Sequence, residues 1–309
     1  MPIIDPPIRV RKNVPVAPLS TFHIGSRAAL FCEVSSPEDL IEAVKWAKAS
    51  RIPYKILGSG SNVVFPDTKL KHLLIRIAGG KLQYDSRRCM ADAGVLLADV
   101  IDGAIRRGLR GLETLSGIPG TIGGAIVGNA GAYGHSISEV VEKVEIWDGR
   151  TRRFLTRAQC EFQYRESIFK EKPFVLLRAF LRFRRGDVQR LRRTSREIIA
   201  TREKKYRPGL RCPGSFFKNV LVKNVSKKAL ARVDAGKIID GKIPSGYLLE
   251  EVGARGMRVG GVVVASFHGN LFVNDDRATA RDVRALAQAL RKRVQRRFGI
   301  RLEEEIRYF

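Results

Sequence analysis

Residues 117–134 read GIPGTIGGAIVGNAGAYG, with seven glycines in eighteen positions and no charge. So glycine-rich a run is entropically costly to order. It is retained where the backbone must take positive φ or approach a ligand closely. A flexible linker is polar, whereas Ile118, Ile122, Ile126 and Val127 are interleaved here and need apolar surroundings. The run is therefore packed. With no Cβ at Gly120, Gly123 and Gly124, successive amide N–H groups can point at one anion. A tight buried turn has the same composition, so the run alone leaves both readings open.

Upstream, Gly58-Ser59-Gly60-Ser61-Asn62 follows the apolar Tyr54 to Leu57 and precedes Val63, Val64 and Phe65, as a loop between two strands does. A dinucleotide fingerprint needs a third glycine and a helix after it, and neither is present. Taken together, the two clusters suggest two backbone loops closing on one pyrophosphate.

Around these loops the chain alternates strands and helices. Ala28 to Val34 is a strand. Ser36-Pro37-Glu38-Asp39 has the cap, first-turn proline and early acids of a helix start, and Leu40, Ile41, Val44 and Ala47 follow at helical spacing. His72 to Ile77 forms another strand and Gly79-Gly80 a turn. Leu96 to Arg107 reads as a helix stopped by Gly108. Past the glycine run the period becomes two: Val140 to Trp147, an Asp148-Gly149 turn and Arg152 to Leu155 make a hairpin, and Phe174 to Phe183 a further strand. A new region begins near Tyr206, and Thr279 caps a last helix with Val283, Leu286, Leu290, Val294 and Phe298 on its inner face.

A chain of 309 residues with 44% hydrophobic content buries a substantial core and has room for two or three domains. No apolar run reaches the ~18 residues of a membrane span, and MPIIDPPIRVRK lacks the core of a secretory signal, so a cytoplasmic protein is expected. Cys32, Cys89, Cys160 and Cys212 are dispersed, which argues for free thiols and against zinc, a redox dithiol or disulfides. The formal charge of +26 raises a polyanionic partner. Its densest block, residues 182–211, carries twelve basic residues against three acids. With only Phe183 and Tyr206 as aromatics and no base-reading motif, it reads as a strand end and a solvated helix.

Seven stretches, in order, carry a resemblance: Thr21-Phe22, GSGSN at 58–62, SGIPGTIGGAIVGNAGAYG at 116–134, YRESIFK at 164–170, GSFFKN at 214–219, HGNLFVN at 268–274 and the terminal LEEEIRYF. Together they resemble the UDP-N-acetylenolpyruvoylglucosamine reductases, the MurB flavoenzymes of bacterial cell-wall synthesis, over nearly the whole chain. The resemblance implies an α+β FAD-binding fold of the vanillyl-alcohol-oxidase type, in subdomains 1–78 and 79–205, with an α/β substrate-binding domain at 206–309. FAD and NADPH are the implied cofactors, and a monomer with no nucleic-acid or membrane partner is expected. Ser26 and Ser59 stand where the family often has glycine, and Val220 where proline is usual. No insertion before Gly214 can hold the tyrosine loop of longer members. The sequence thus resembles the shorter, second type, and no residue is assigned to that tyrosine.

The implied reaction carries hydride from NADPH through the flavin to the vinyl carbon of an enolpyruvyl ether, giving UDP-N-acetylmuramate for peptidoglycan synthesis. Negative charge accumulates at the substrate carboxylate, and one proton must reach the adjacent carbon. By resemblance Ser215 donates that proton, Arg165 meets the carboxylate as a fixed fork, and Glu305 orients the carboxylate and serine network. Glu303 and Glu304 compete with Glu305, since strand alternation places Glu303 and Glu305 on one face. The FAD would be held by Gly58, Ser59, Gly60, Ser61, Asn62, Gly117, Gly120, Thr121, Gly123, Gly124, Asn129 and Gly131, and the substrate by Tyr164, Lys218 and Asn219. No metal is implied. His135 and His268 are read as structural. By ordinary statistics Ser215 is a turn residue, Arg165 a surface loop residue and Glu305 a solvated terminal acid. Two other classes stay open: a different flavin oxidoreductase of the same fold, and a basic nucleic-acid binder.

Overall fold

A computed structural model describes residues 5–309. The chain forms two compact units that interleave in sequence: Met1–Val14, Ala28–Ser59 and Lys71–Lys204 make the first, and Pro15–Arg27, Gly60–Leu70 and Lys205–Phe309 the second. A division of the sequence at 78 and 205 is linear, whereas two short N-terminal segments here group with the C-terminal third.

Among the described residues the first unit holds two larger sheets beside two short two-stranded pairs. One is ordered Arg11–Pro15, Arg27–Val34, Leu70–Ile77, Tyr54–Leu57, and its last two strands run parallel. The helix Pro37–Ala49 connects Arg27–Val34 to Tyr54–Leu57. That helix starts where its sequence signals it, with Ser36 Oγ accepting the Asp39 N–H at 3.1 Å. Leu40, Ala43, Val44 and Ala47 are fully buried on its inner face. The second sheet is antiparallel throughout, ordered Arg152–Thr156, Val141–Trp147, Val175–Arg182, Arg88–Asp92, Leu82–Asp85. The expected hairpin about Asp148-Gly149 is present. The hairpin of Leu82–Asp85 and Arg88–Asp92 has no expectation behind it, because LQYD alternates over only four residues and RRCMAD does not alternate. One apolar core joins these elements, drawing on Leu73, Ile75, Leu97, Val100, Ile126, Val144, Leu177 and Leu181.

An ionic network crosses the second sheet. Arg178 donates to Asp92 at 2.7 Å and to Glu145 at 3.2 Å, and Asp92, 1% exposed, also accepts the Lys81 N–H at 2.8 Å. Arg178→Met would leave the Asp92 charge enclosed without its cation. Removing one partner of a buried pair costs about 3–5 kcal/mol. Because Arg178 keeps 21% of its side chain in water, about 2–3 kcal/mol is expected. The readout is the thermal midpoint, and an unchanged midpoint would remove the network from the stability of this unit.

The second unit is built round aromatic residues. Phe216 stacks on Phe272 with centroids 3.9 Å apart, and Phe217 meets both rings edge-on. The helix Ala280–Phe298 covers this core with the five residues expected, all buried. Thr279 and Asp282 form a capping box at its start, where Asp67 also accepts the N–H groups of Ala280 and Arg281. Arg258–Val259, Val262–Val264 and Phe272–Asn274 make a three-stranded antiparallel sheet. Val63–Val64 pairs in parallel with Arg307–Tyr308, tying the terminus to the segment after Gly60. Among the described residues no helix is long and apolar enough to cross a membrane.

Candidate active site

In the first unit the two glycine-rich stretches meet. A Cβ at Gly58 would lie 2.6 Å from Thr121 Oγ1, so only glycine permits this approach. Thr121 in turn caps the helix Ile122–Val127 by accepting the Gly124 N–H at 3.2 Å. That helix has no counterpart in the sequence reading, since two of its six residues are glycine; the threonine cap and burial of Ile122 and Ile126 outweigh that weak propensity. The Gly123 amide is not available to an anion, because it donates to Ala93 O at 2.8 Å. Gly123 instead brings the helix onto the backbone beside it, where an added Cβ would stand 3.0 Å from both Ala93 Cβ and O. Gly120 O accepts the Leu97 N–H at 3.0 Å, and Gly117 lies against the Arg202 side chain.

Beside this junction is a cleft of about 370 Å³. Backbone at Gly58, Ser59, Gly79, Gly80 and Gly94 lines it with Thr121. Leu82, Val95 and Leu96 supply apolar wall, and Arg76 and Asp99 charge.

Arg165 sits at the tip of a two-residue turn. Gln163 and Glu166 exchange backbone hydrogen bonds of 3.0 and 3.1 Å, and Arg165 takes φ +58°, a left-handed conformation in which a long side chain is uncommon. Such geometry is kept at functional sites when its surroundings impose it. Here the glycine-rich run does so. Asn129 Nδ2 donates to Gln163 O at 2.8 Å, Ser167 Oγ donates to Val127 O at 2.8 Å, and Lys170 Nζ donates to Arg165 O. Asn129 Oδ1 also accepts the Ser138 N–H at 3.4 Å, so Asn129, expected at the cofactor, ties the arginine turn to the segment at Ser138 through the two ends of its amide. Tyr164 is beside Arg165, its ring 5.6 Å from the guanidinium carbon, and Gly131 pairs with Ser136 in a short hairpin.

Ser215 and Glu305 lie in the second unit. Phe217 bridges Glu304, Lys218 N donates to Glu303 O at 2.9 Å, and Glu305 N donates to Phe216 O at 2.8 Å. This register puts Glu305 opposite the residue that follows Ser215. It also separates the three acids: Glu304 pairs with Arg291 at 3.1 Å, and Glu303, 72% exposed, with Lys218 at 3.2 Å. Asn62 Nδ2 donates to Glu305 O at 3.0 Å, joining the GSGSN stretch to the terminal strand, while Gly60 O accepts the Thr21 N–H at 3.2 Å and Ser61 O the Thr21 hydroxyl at 3.4 Å. Asn219 Oδ1 accepts the Ser245 N–H at 3.2 Å. The buried Asn270 holds Phe217 from both sides, accepting its N–H at 2.8 Å and donating to its O at 2.9 Å. The GSFFKN segment is thus rigidly seated.

Two family models match the chain: UDP-N-acetylenolpyruvoylglucosamine reductase, C-terminal domain, at residues 206–309, and an FAD binding domain at 28–154. The UDP-N-acetylenolpyruvoylglucosamine reductase of Solibacter usitatus (strain Ellin6076) is 42% identical over 304 residues, which cover 98% of this chain and 97% of that protein. That of Pseudothermotoga lettingae is 33% identical over 96% of each chain. Among solved structures, the crystal structure of the reductase from Thermus caldophilus superposes with a TM-score of 0.76 at 30% identity, covering 98% of this chain and 99% of its own. The chain belongs to the UDP-N-acetylenolpyruvoylglucosamine reductase family.

As a member of that family it has the α+β FAD-binding fold, and the matched range 28–154 encloses every residue lining the glycine-walled cleft. The cleft suits FAD: side chains are missing where a diphosphate must approach the backbone, and an apolar wall lies beside them for a ring. Gly58, Ser59 and Thr121 would hold the group there. His268 is no proton carrier near neutral pH. Burial and the Lys205 charge push it down to about 4, and its Nδ1 accepts the Asn270 N–H at 3.1 Å. His135 pairs with Glu139 at the surface. All four cysteines are free and buried. Two neighbours of Ser215 escaped the sequence reading: Tyr206, whose hydroxyl is 2.9 Å from Ser215 Oγ, and Lys205, whose Nζ is 3.5 Å from it. Nothing in the local pattern singles them out, as Lys205 ends a long basic helix ten residues upstream and Tyr206 follows it.

Proposed function

We propose that this chain reduces the enolpyruvyl ether of UDP-N-acetylglucosamine to UDP-N-acetylmuramate with NADPH, supplying peptidoglycan precursor. The observation that carries the reading is the 42% identity to a curated reductase across 98% of the chain. The glycine-walled cleft supports it. FAD held at Gly58, Ser59 and Thr121 would supply hydride transfer from NADPH to the substrate.

The residues of the chain do the rest. Ser215, seated by the Asn270 clamp on the next backbone, gives its hydroxyl proton to the carbon beside the carboxylate. Arg165, held at its turn by Asn129 and Ser167, offers a planar fork to that carboxylate, a contact that strengthens as charge builds there. Glu305 orients the network, with Glu303 and Glu304 engaged elsewhere. Tyr164, Lys218 and Asn219 contact the substrate, and residues 1–78 and 79–205 act as the two FAD-binding subdomains. The protein works as a monomer in the cytoplasm, which gel filtration and cell fractionation test. The decisive experiment is optical. Purified protein should be yellow, bleach with NADPH and regain colour with the UDP-linked enolpyruvyl sugar; protein that stays reduced with that sugar is another flavin oxidoreductase.

The charge bears on rate. Arg190, Arg192 and Arg193 are exposed on the helix Val188–Lys205, which buries only Leu191 among its described residues. Substrate and NADPH are anionic, so rate constants at limiting concentration should fall with ionic strength while the saturated rate changes little, because screening acts on encounter. Changing all three arginines to glutamine should flatten that salt dependence and keep turnover. Loss of saturated turnover would place this helix in the active site.

A further inference from the structure

The hydroxyl of Ser215 has one proton to give and two lone pairs to fill. Two groups in the same unit lie at its oxygen. Lys205 Nζ, which can only donate, is 3.5 Å away, and Tyr206 Oη is 2.9 Å away. The Tyr206 ring packs on the small cluster of Cys212, Ala265 and Leu271, so the phenol is not a loose surface group. The Lys205 ammonium also stands over that ring, 5.0 Å from its centroid. Ser215 itself is fixed by its bridge to Leu271 and by the clamp on Phe217.

If Ser215 Oγ accepts from both Lys205 and Tyr206, its lone pairs are occupied and its single proton is the only one left to face the substrate. Donation to carbon then raises a problem that serine alone does not solve. An alkoxide is far more basic than a phenolate, so a serine with no source behind it is a poor acid, whereas a phenol hydrogen-bonded to it supplies a proton as its own departs.

We propose that Tyr206 is a positioning and proton-relay residue for Ser215, with Lys205 holding the charge that the relay leaves behind. The inference rests on the reductase reading above. In the step, the Ser215 Oγ–H bond breaks as a C–H bond forms at the carbon next to the substrate carboxylate, using the electron pair placed there by hydride delivery. In the same step the Tyr206 Oη proton passes to Ser215 Oγ. The phenolate electron pair that remains faces the Lys205 ammonium, and water reprotonates it between turnovers. No oxidant or reductant enters beyond the NADPH already consumed.

The test separates the two half-reactions in stopped flow, using the flavin-loaded enzyme and the UDP-linked enolpyruvyl sugar. Tyr206→Phe keeps the ring, its packing and its place under Lys205, and removes only the hydroxyl. Bleaching by NADPH should keep its wild-type rate, and reoxidation by the sugar should slow about 10- to 100-fold. The same change in a Ser215→Ala background should slow reoxidation no further, because residues acting through one proton are not additive. Across H₂O/D₂O mixtures, the curvature of reoxidation with deuterium fraction should be smaller in Tyr206→Phe than in wild type, because one solvent-derived proton fewer moves. With ¹³C at tyrosine Cζ, the Tyr206 resonance should shift in Ser215→Ala. Reoxidation at wild-type rate in Tyr206→Phe, equal slowing of both half-reactions, an additive double variant or an isotope plot equally curved in wild type and Tyr206→Phe would each overturn the relay and leave the reductase reading standing. A wild-type enzyme that the sugar cannot reoxidise would overturn that reading and the relay with it.

Discussion

In Ser215→Ala, NADPH should bleach the flavin at the wild-type rate while reoxidation by the enolpyruvyl sugar falls about 10²- to 10⁴-fold, the usual worth of general acid catalysis. The asymmetry follows from chemistry. Hydride transfer from NADPH requires no proton at Ser215, whereas the substrate half-reaction ends with one delivered to carbon. The fold should tolerate the change. Phe216 and Phe217, which follow it, are buried in the aromatic cluster and clamped by Asn270, so the loss of one half-buried hydroxyl leaves the segment seated. Reoxidation as fast as wild type would remove Ser215 from the donor role, and a matching fall in both half-reactions would point to a disturbed flavin site.

The second large effect is expected at the glycine junction. Gly58→Val should give a folded but colourless protein. Its Cβ would stand 2.6 Å from Thr121 Oγ1, and Thr121, 2% exposed and committed as a helix cap, has no room to retreat. The remaining methyl groups would intrude where Gly58 lines the cleft. Gly123→Val should act at the same place by a different route, lifting the helix Ile122–Val127 from Ala93. Flavin per chain, read from absorbance after purification, checks both, with circular dichroism to establish that the chain is folded. Full flavin occupancy in Gly58→Val would place the cofactor elsewhere.

What the sequence alone determined is what local chemistry determines. The helix Pro37–Ala49 follows from Ser36 and Pro37, the last helix from Thr279 and its apolar stripe, and the Val141–Trp147 hairpin from alternation and an Asp-Gly turn. Motifs kept in order along the chain pointed to the family, and the glycine clusters to a place of close backbone approach. The tertiary structure decided which groups share a place. It showed that the Gly123 amide serves Ala93 and leaves nothing for an anion, because a glycine admitting a ligand and one admitting a neighbouring backbone have the same local signature. It gave Asn129 to the Arg165 turn, thirty-four residues away, and Glu304 to Arg291, selections that depend on register. It drew Pro15–Arg27 and Gly60–Leu70 into the C-terminal unit and set Tyr206 and Lys205 against Ser215. Propensity and periodicity act over a few residues, whereas a hydrogen-bond partner is settled by where the whole chain brings its donors and acceptors together.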